Sequence, residues 1–168
     1  MNQLSTPDFS QFKLRVNIKT PVENVYKAWA TSAGLTSWFA AASFTDEDGN
    51  IRPADAPAQT NDHYRLQLSC EGVDAHGTGK VLQANGKNIF SFTFSKGCPV
   101  SISIYPEHGE TIVELFESKL PTDSDTIQRH YVGDSKGWIF FLTNLKSVLE
   151  GGLDLRNKNE AIGNVITG

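Results

Sequence analysis

The chain has 168 residues, 39% of them hydrophobic and 20% charged, and its 15 Lys and Arg against 19 Asp and Glu leave a net charge of −4. That balance excludes a disordered polyampholyte, and without a long run of one sign it lacks the basic footprint needed to neutralise nucleic-acid phosphates. The unusual feature is aromatic: 10 Phe, 4 Tyr and 3 Trp beside a single Met supply more rigid flat surface than a plain core of this size needs.

The length predicts a single domain over 1–168, with a core at 12–152, a polar lead at 1–10 and a tail at 153–168. Met1 to Ser10 has neither the cationic start nor the apolar stretch of a secretory signal, and no apolar run reaches the 18 or so residues that span a bilayer. Cys70 and Cys98 form no CxxC pair and read as free thiols, so a reducing compartment, the cytoplasm, is the expectation.

Phe12, Leu14, Val16 and Ile18 alternate with polar residues, which predicts a strand with one buried face. Thr20-Pro21-Val22-Glu23 reads as an N-cap, a first-turn proline and an acid opening a helix that ends near Thr31 and carries Val22, Val25, Tyr26 and Trp29 on one side. After Gly34, the spacing of Leu35, Trp38 and Phe39 predicts a second helix, too short to stand unless its aromatic face packs. Asp46 to Asp62, with Gly49, Pro53 and Pro57, reads as a long loop flanked by Phe44 and Tyr64. Strands are then expected from Tyr64 to Cys70, Gly79 to Ala84, Lys87 to Ser95, Val100 to Tyr105 and Thr111 to Leu120. Asn85-Gly86 marks a hairpin turn, and Pro106 to Gly109 separates the last two strands.

The last third changes period. Asp125 with Gln128 resembles a capping box, and Tyr131, Trp138, Phe141, Leu142, Leu145 and Leu149 lie on one stripe of a helix of about seven turns, ended by Gly151-Gly152. The fold class is therefore α+β. A curved antiparallel sheet of about six to seven strands wraps a long C-terminal helix, with two short helices after strand one.

Several segments together resemble the helix-grip fold of START domains and birch-pollen-allergen-type proteins. They are the first strand to Ile18, Pro21 to Trp29, Leu35 with Trp38-Phe39, Asp62-His63-Tyr64, Gly79 to Leu82, Phe90 to Phe94, and Gly137-Trp138 with Phe141 to Gly151. Within that superfamily they are most similar to the family named after the C-terminal domain of the activator of Hsp90 ATPase, over residues 12 to 152. The pattern departs at Asn61, where relatives often have Gly, and at Phe94, where many carry Trp. Relatives include an Hsp90-stimulating co-chaperone domain, aromatase/cyclase-type enzymes and lipid carriers, so the resemblance implies a fold without selecting a function.

Gly133-Asp134-Ser135-Lys136-Gly137 matches GxSxG, but it falls inside the helical stripe and no histidine follows it, against the order of a hydrolase elbow. Gly77-Thr78-Gly79-Lys80 lacks the first glycine and the hydroxyl of a phosphate loop. His63, His76, His108 and His130 form no ligand pair, with His108 read as a turn residue and His130 and Arg129 as a solvated or core-edge helix face. Asp46 to Asn50 lacks the closing Glu of a calcium loop. No metal, cofactor or catalytic residue is expected.

What remains is a cavity between the sheet and the C-terminal helix, with Trp38, Phe39, Tyr64, Leu66, Phe90, Phe92, Phe94, Tyr131, Gly133, Gly137, Trp138 and Phe141 as its expected lining. The rings either line a ligand site or simply fill the interior, with the glycines permitting close helix-to-sheet packing. The leading reading is a non-catalytic protein that binds a small apolar or aromatic ligand. The alternatives are a protein-interaction domain for an Hsp90-type chaperone and a cyclase- or hydrolase-like enzyme with His76, Glu114 and Arg129 in the cavity. A homodimer is a further expected partner arrangement. Asp154 to Lys158 either packs back or serves a partner.

Overall fold

A computed structural model describes residues 7–70, 73–159, 161–163, 165 and 166, and the side chains of these apart from 68–70 and 73–75. The Cys70 thiol therefore lies outside the described residues. Seven strands form one antiparallel sheet in the order β1-β7-β6-β5-β4-β3-β2. They are β1 (Phe12–Ile18), β2 (Ala41–Thr45), β3 (His63–Cys70), β4 (Val73–Ala84), β5 (Ile89–Thr93), β6 (Pro99–Glu107) and β7 (Glu110–Glu117). Helices α1 (Val22–Ala30) and α2 (Ser32–Trp38) follow β1, and α3 (Ser124–Ile127), a π-helical turn (Gln128–Val132) and α4 (Gly133–Leu149) run on as one long C-terminal helix.

The alternation does what period two requires. Val113, Leu115 and Glu117 of β7 and Val100, Ile102 and Ile104 of β6 point to the covered face. The other face carries charge, with Lys13, Arg15, Glu107 and Glu114 in ion pairs across β1, β7 and β6. β2 was not legible in the sequence. Its five residues pair with β3 through Phe44↔Tyr64, and only Phe44 is buried.

Helix starts differ from expectation by a residue or two. Pro21 occupies the N-cap position of α1 and Thr20 makes no capping bond to it, while Thr31 caps α2 by accepting from the Gly34 N–H at 2.9 Å, so α2 begins before Gly34. Asp123, not Asp125, precedes α3, and the carbonyl of Asp123 accepts from the Thr126 and Ile127 N–H groups. Asn61 has φ +78°, the left-handed region that Gly or Asn adopts most cheaply, which accounts for an Asn at this position.

The 46–62 loop is tied in at several points. Arg52 pairs with the buried Asp62 carboxylate, Ala33 N–H donates to Ala54 O at 2.8 Å, and Ala58 N–H donates to Ala30 O at 2.6 Å. The His108–Gly109 turn has positive φ at both residues, as a two-residue hairpin needs. After α4 the chain folds back over α2. Arg156 Nη2 donates to the carbonyls of Thr36 at 3.0 Å and Ser37 at 3.1 Å, and fully buried Asn144 donates to Trp38 O at 2.7 Å while accepting from the Leu155 N–H at 2.7 Å. The last carbonyls of a seven-residue helix, which cannot satisfy them itself, thus find partners. Asp154 to Arg156 packs back onto the domain.

Candidate functional site

The covered face holds a continuous network of rings. Trp138 stacks on Phe39 with centroids 5.4 Å apart and lies 5.0 Å from Phe94, 6.3 Å from Phe92 and 5.9 Å from Trp29. Phe39 also meets Phe141 edge-on at 4.5 Å, and Trp29 meets Trp38 at 4.6 Å. The space against α4 is thereby filled. A small apolar cavity of about 20 Å³ is left beneath α1 and α2 instead, bounded by Trp29, Leu35, Phe39, Phe44, Tyr64, Leu66, Phe90 and Phe92. That is room for about one water, but a water needs two or more polar partners, and in a wall of rings and leucines the one buried polar atom without a hydrogen bond is the Trp29 indole nitrogen.

Of the expected lining, Phe39, Tyr64, Leu66, Phe90 and Phe92 border this cavity, and Trp38, Phe94, Trp138 and Phe141 form the ring layer beside it. Tyr131 lies elsewhere, packed edge-on against Phe9 at 5.1 Å and Phe12 at 5.8 Å. Gly133 is exposed, and a Cβ on Gly137 would meet nothing within 4 Å, so neither glycine is required for close packing. Gly79 is. A Cβ there would stand 2.5 Å from the Tyr64 hydroxyl, which explains a glycine opposite Tyr64 in β4 and assigns the Gly77–Lys80 segment to strand packing.

Trp29, Leu35 and Phe44 complete the cavity without having been singled out. Trp29 and Leu35 sat on predicted helix faces, and Phe44 belonged to the strand that went unseen.

A second cluster lies at the other end of the ring layer, under the π-helical turn. Glu117 is fully buried, its Oε2 accepts from the Trp138 indole N–H at 2.8 Å, and its Oε1 has no partner. Asp134, one turn before Trp138, also has a buried oxygen, Oδ2, without a hydrogen-bond partner. His130, one turn earlier still, places Nδ1 3.0 Å from Ser95 Oγ and 3.6 Å from Asp134 Oδ2. Burial, reinforced by the Asp134 charge, pushes Glu117 up to about 8. Burial also raises Asp134, against the opposing pull of His130 and Ser95. The same field reaches outward: burial and then Glu117 push Tyr64 up to about 12 and raise the Cys98 thiol.

This is not a hydrolase triad. Ser95 and Asp134 both address the same imidazole nitrogen, whereas proton relay needs the hydroxyl and the acid on opposite nitrogens. Ser135 of the GxSxG pentad donates to Val132 O at 3.1 Å inside the helix. The enzyme trio is dispersed: His76 and Arg129 are exposed, and Glu114 pairs with Lys13 on the outer face. Among the described residues no three His, Cys, Asp or Glu side chains come together as a metal site, and no helix is long and apolar enough to cross a membrane. Sequence reading missed Glu117, Asp134 and Ser95, and took His130 for a helix face. The available signal was an acid on the buried phase of β7, after Val113 and Leu115, and another on the stripe of Trp138.

A groove of about 700 Å³ runs outside, between the start of α1, the 46–62 loop and the β4–β5 turn. Its rim mixes Glu23, Lys27, Asp55 and Lys87, and the buried polar groups in its wall are already engaged, the Tyr26 hydroxyl by the Gly86 N–H at 2.9 Å and the Thr31 hydroxyl by the Lys27 carbonyl and the Gly34 N–H.

With sheet order and interior in place, the architecture is that of a helix-grip protein, and solved structures of that shape match it. A Staphylococcus saprophyticus protein, SSP2350, superposes with TM-score 0.68 at 18% identity, covering 87% of this chain and 96% of its own. The Aha1 dimer from Colwellia psychrerythraea matches with TM-score 0.63 at 19% identity, covering 84% of this chain and 97% of its own. DynU16, from the dynemicin biosynthetic locus, matches with TM-score 0.65 at 19% identity over 90% of this chain and 51% of its own. No family model and no curated protein matches the sequence. At these identities the likeness establishes the fold.

Proposed function

We propose that this protein binds a small apolar or aromatic molecule in the ring-lined interior beneath α2, without transforming it. The observation that carries the reading is the cavity of about 20 Å³ bounded by Trp29, Leu35, Phe39, Phe44, Tyr64, Leu66, Phe90 and Phe92 and covered by a helix of only seven residues. A helix that short has no stability of its own. Movement of Leu35 and Phe39 with it would enlarge the cavity at the cost of the Phe39 contacts to Trp38, Phe94, Trp138 and Phe141, a loss that the ligand's own buried surface offsets at about 25 cal/mol per Å². One structural neighbour comes from a biosynthetic locus, which agrees with a small-molecule role.

Titration with N-phenyl-1-naphthylamine, a neutral dye that brightens in apolar surroundings, tests the reading. The folded protein is expected to bind one equivalent with quenching of its tryptophan emission, and Leu35→Trp, which fills the cavity, is expected to abolish both signals. No dye binding by the folded wild-type protein would overturn it.

A second reading, membership of the Hsp90-activator family with an Hsp90-type chaperone as partner, is supported by the quoted residues from Pro21 to Trp29 and by the Colwellia Aha1 structure among the neighbours. Calorimetric titration with Hsp90 tests it: heat of binding supports this reading, and none removes it. A homodimer, as in that Colwellia protein, would appear in the same sample by light scattering.

A further inference from the structure

Two acids under the π-helical turn each leave a buried oxygen without a hydrogen bond, Glu117 Oε1 facing no cation and Asp134 Oδ2 standing 3.6 Å from His130 Nδ1, and nothing in the apolar cavity accounts for them. Glu117 comes from β7 and is fully buried, so its free Oε1 is not satisfied by solvent. Asp134 comes from the start of α4, one turn before the Trp138 that hydrogen-bonds Glu117. An unpartnered buried polar group costs roughly 1–3 kcal/mol, and more when charged, so keeping two of them in one place needs a reason. The backbone is irregular at the same place: the π-helical turn Gln128–Val132 opens the helix one turn before Asp134, and such turns occur often at functional sites.

The chemistry of the two free atoms follows from their surroundings. An indole N–H only donates, so Glu117 Oε2 must be the accepting oxygen. No Lys or Arg neutralises Glu117, and burial beside another acid keeps it protonated at neutral pH, which leaves the proton on Oε1 as a donor with nothing to receive it. Asp134, facing His130 Nδ1 at 3.6 Å, keeps Oδ2 as an acceptor. A donor and an acceptor at one end of a ring-walled interior are complementary to a group that both accepts and donates. A single hydroxyl does both.

We infer that Glu117 and Asp134 are the polar end of the interior site, and that its ligand is an apolar or aromatic molecule carrying one hydroxyl, which accepts from Glu117 Oε1 and donates to Asp134 Oδ2. The Phe39–Trp138 and Phe94–Trp138 contacts separate this end from the cavity beneath α2, so a ligand spanning both displaces those rings. The inference rests on the small-molecule reading above and adds the head group to it.

The test compares 2-naphthol with 2-methylnaphthalene, nearly equal in shape and differing in the hydroxyl, by calorimetry at pH 7 against wild type, Glu117→Gln, Glu117→Met and Asp134→Ala. Wild type is expected to prefer 2-naphthol roughly tenfold, the yield of one to two net hydrogen bonds. Glu117→Gln, whose amide still accepts from Trp138 and still donates, keeps the preference. Glu117→Met and Asp134→Ala lose most of it while binding 2-methylnaphthalene as before. If Glu117→Met does not fold, Asp134→Ala, whose side chain lies at the edge of the core, decides. Equal binding of the two probes by wild type overturns this inference alone, with a trapped water as the whole content of the acid cluster. Binding of neither probe overturns the small-molecule reading with it.

Discussion

The two ends of the interior are built on opposite principles. Beneath α2 every group lining the cavity is a ring or a leucine, and what holds the end together is the fit of Trp29, Phe39, Phe90 and Phe92. Beneath the π-helical turn the packing is interrupted by Glu117, Asp134, His130 and Ser95, and two oxygens are left unsatisfied. The apolar end stabilises by packing, although the Trp29 indole N–H finds no partner there, and its one titratable group, Tyr64, is pushed up to about 12, so it does not respond between pH 5 and pH 8. The polar end costs stability and is sensitive to pH, the arrangement expected of groups kept for something other than folding.

The largest expected effect bears on the apolar end. Phe92→Ala removes a ring shared by Trp29, Tyr64, Phe90, Phe94 and Trp138 and is expected to cost about 3–5 kcal/mol in urea unfolding, with the same loss at pH 5 and pH 8. A loss that varied with pH would mean the two ends are coupled.

The polar end is expected to respond to pH itself. Glu117 has a folded pKa of about 8 against the ordinary 4.5, so the folded state holds its proton more tightly. The stability it contributes is complete below pH 4.5 and is lost as pH rises through about 8, by about 5 kcal/mol. The groups that bear on it are Asp134, which raises it, Trp138, whose N–H lowers it, and Tyr64 and Cys98, which it raises in turn. Glu117→Gln is expected to flatten this decline in denaturant midpoints taken from pH 5 to pH 9, and an unchanged slope would remove Glu117 as its source.

A smaller effect concerns the cover of the cavity. Asn144→Ala frees the carbonyl of Trp38 and the N–H of Leu155 and is expected to cost about 2 kcal/mol, detected by thermal unfolding. Arg156→Ala, which removes the bonds to the end of α2 together with the ion pair to Asp154, is expected to cost about 1 kcal/mol and to raise amide exchange selectively in residues 35 to 40. Uniform exchange across the chain would show that the segment after α4 does not hold α2 in particular.

The architecture was largely legible because its signals are local and periodic. Alternation and turn signals marked β1, β3, β5 to β7 and the second half of β4, which begins at Val73 and not at Gly79, and the stripe from Trp138 to Leu145 marked the long helix. β2 escaped because Ala41-Ala42-Ser43 carries no strong strand former, and its pairing to β3 is tertiary. The ring layer was legible in membership but not in placement. Nothing in the spacing of Leu35 or Phe39 says that the residual space would lie under α2, where Trp138 had already filled the region beside α4. The acid cluster was least legible, because Glu117 and Asp134 are ordinary surface residues in type, and only their phase on β7 and on the Trp138 stripe sets them apart.

Native mass spectrometry of the protein purified from its own host tests the central claim most directly. The account predicts a population heavier than the chain by one small non-covalent molecule, absent from Leu35→Trp prepared in the same way. Bare chain alone, in a preparation that then also fails to take up N-phenyl-1-naphthylamine, would contradict it.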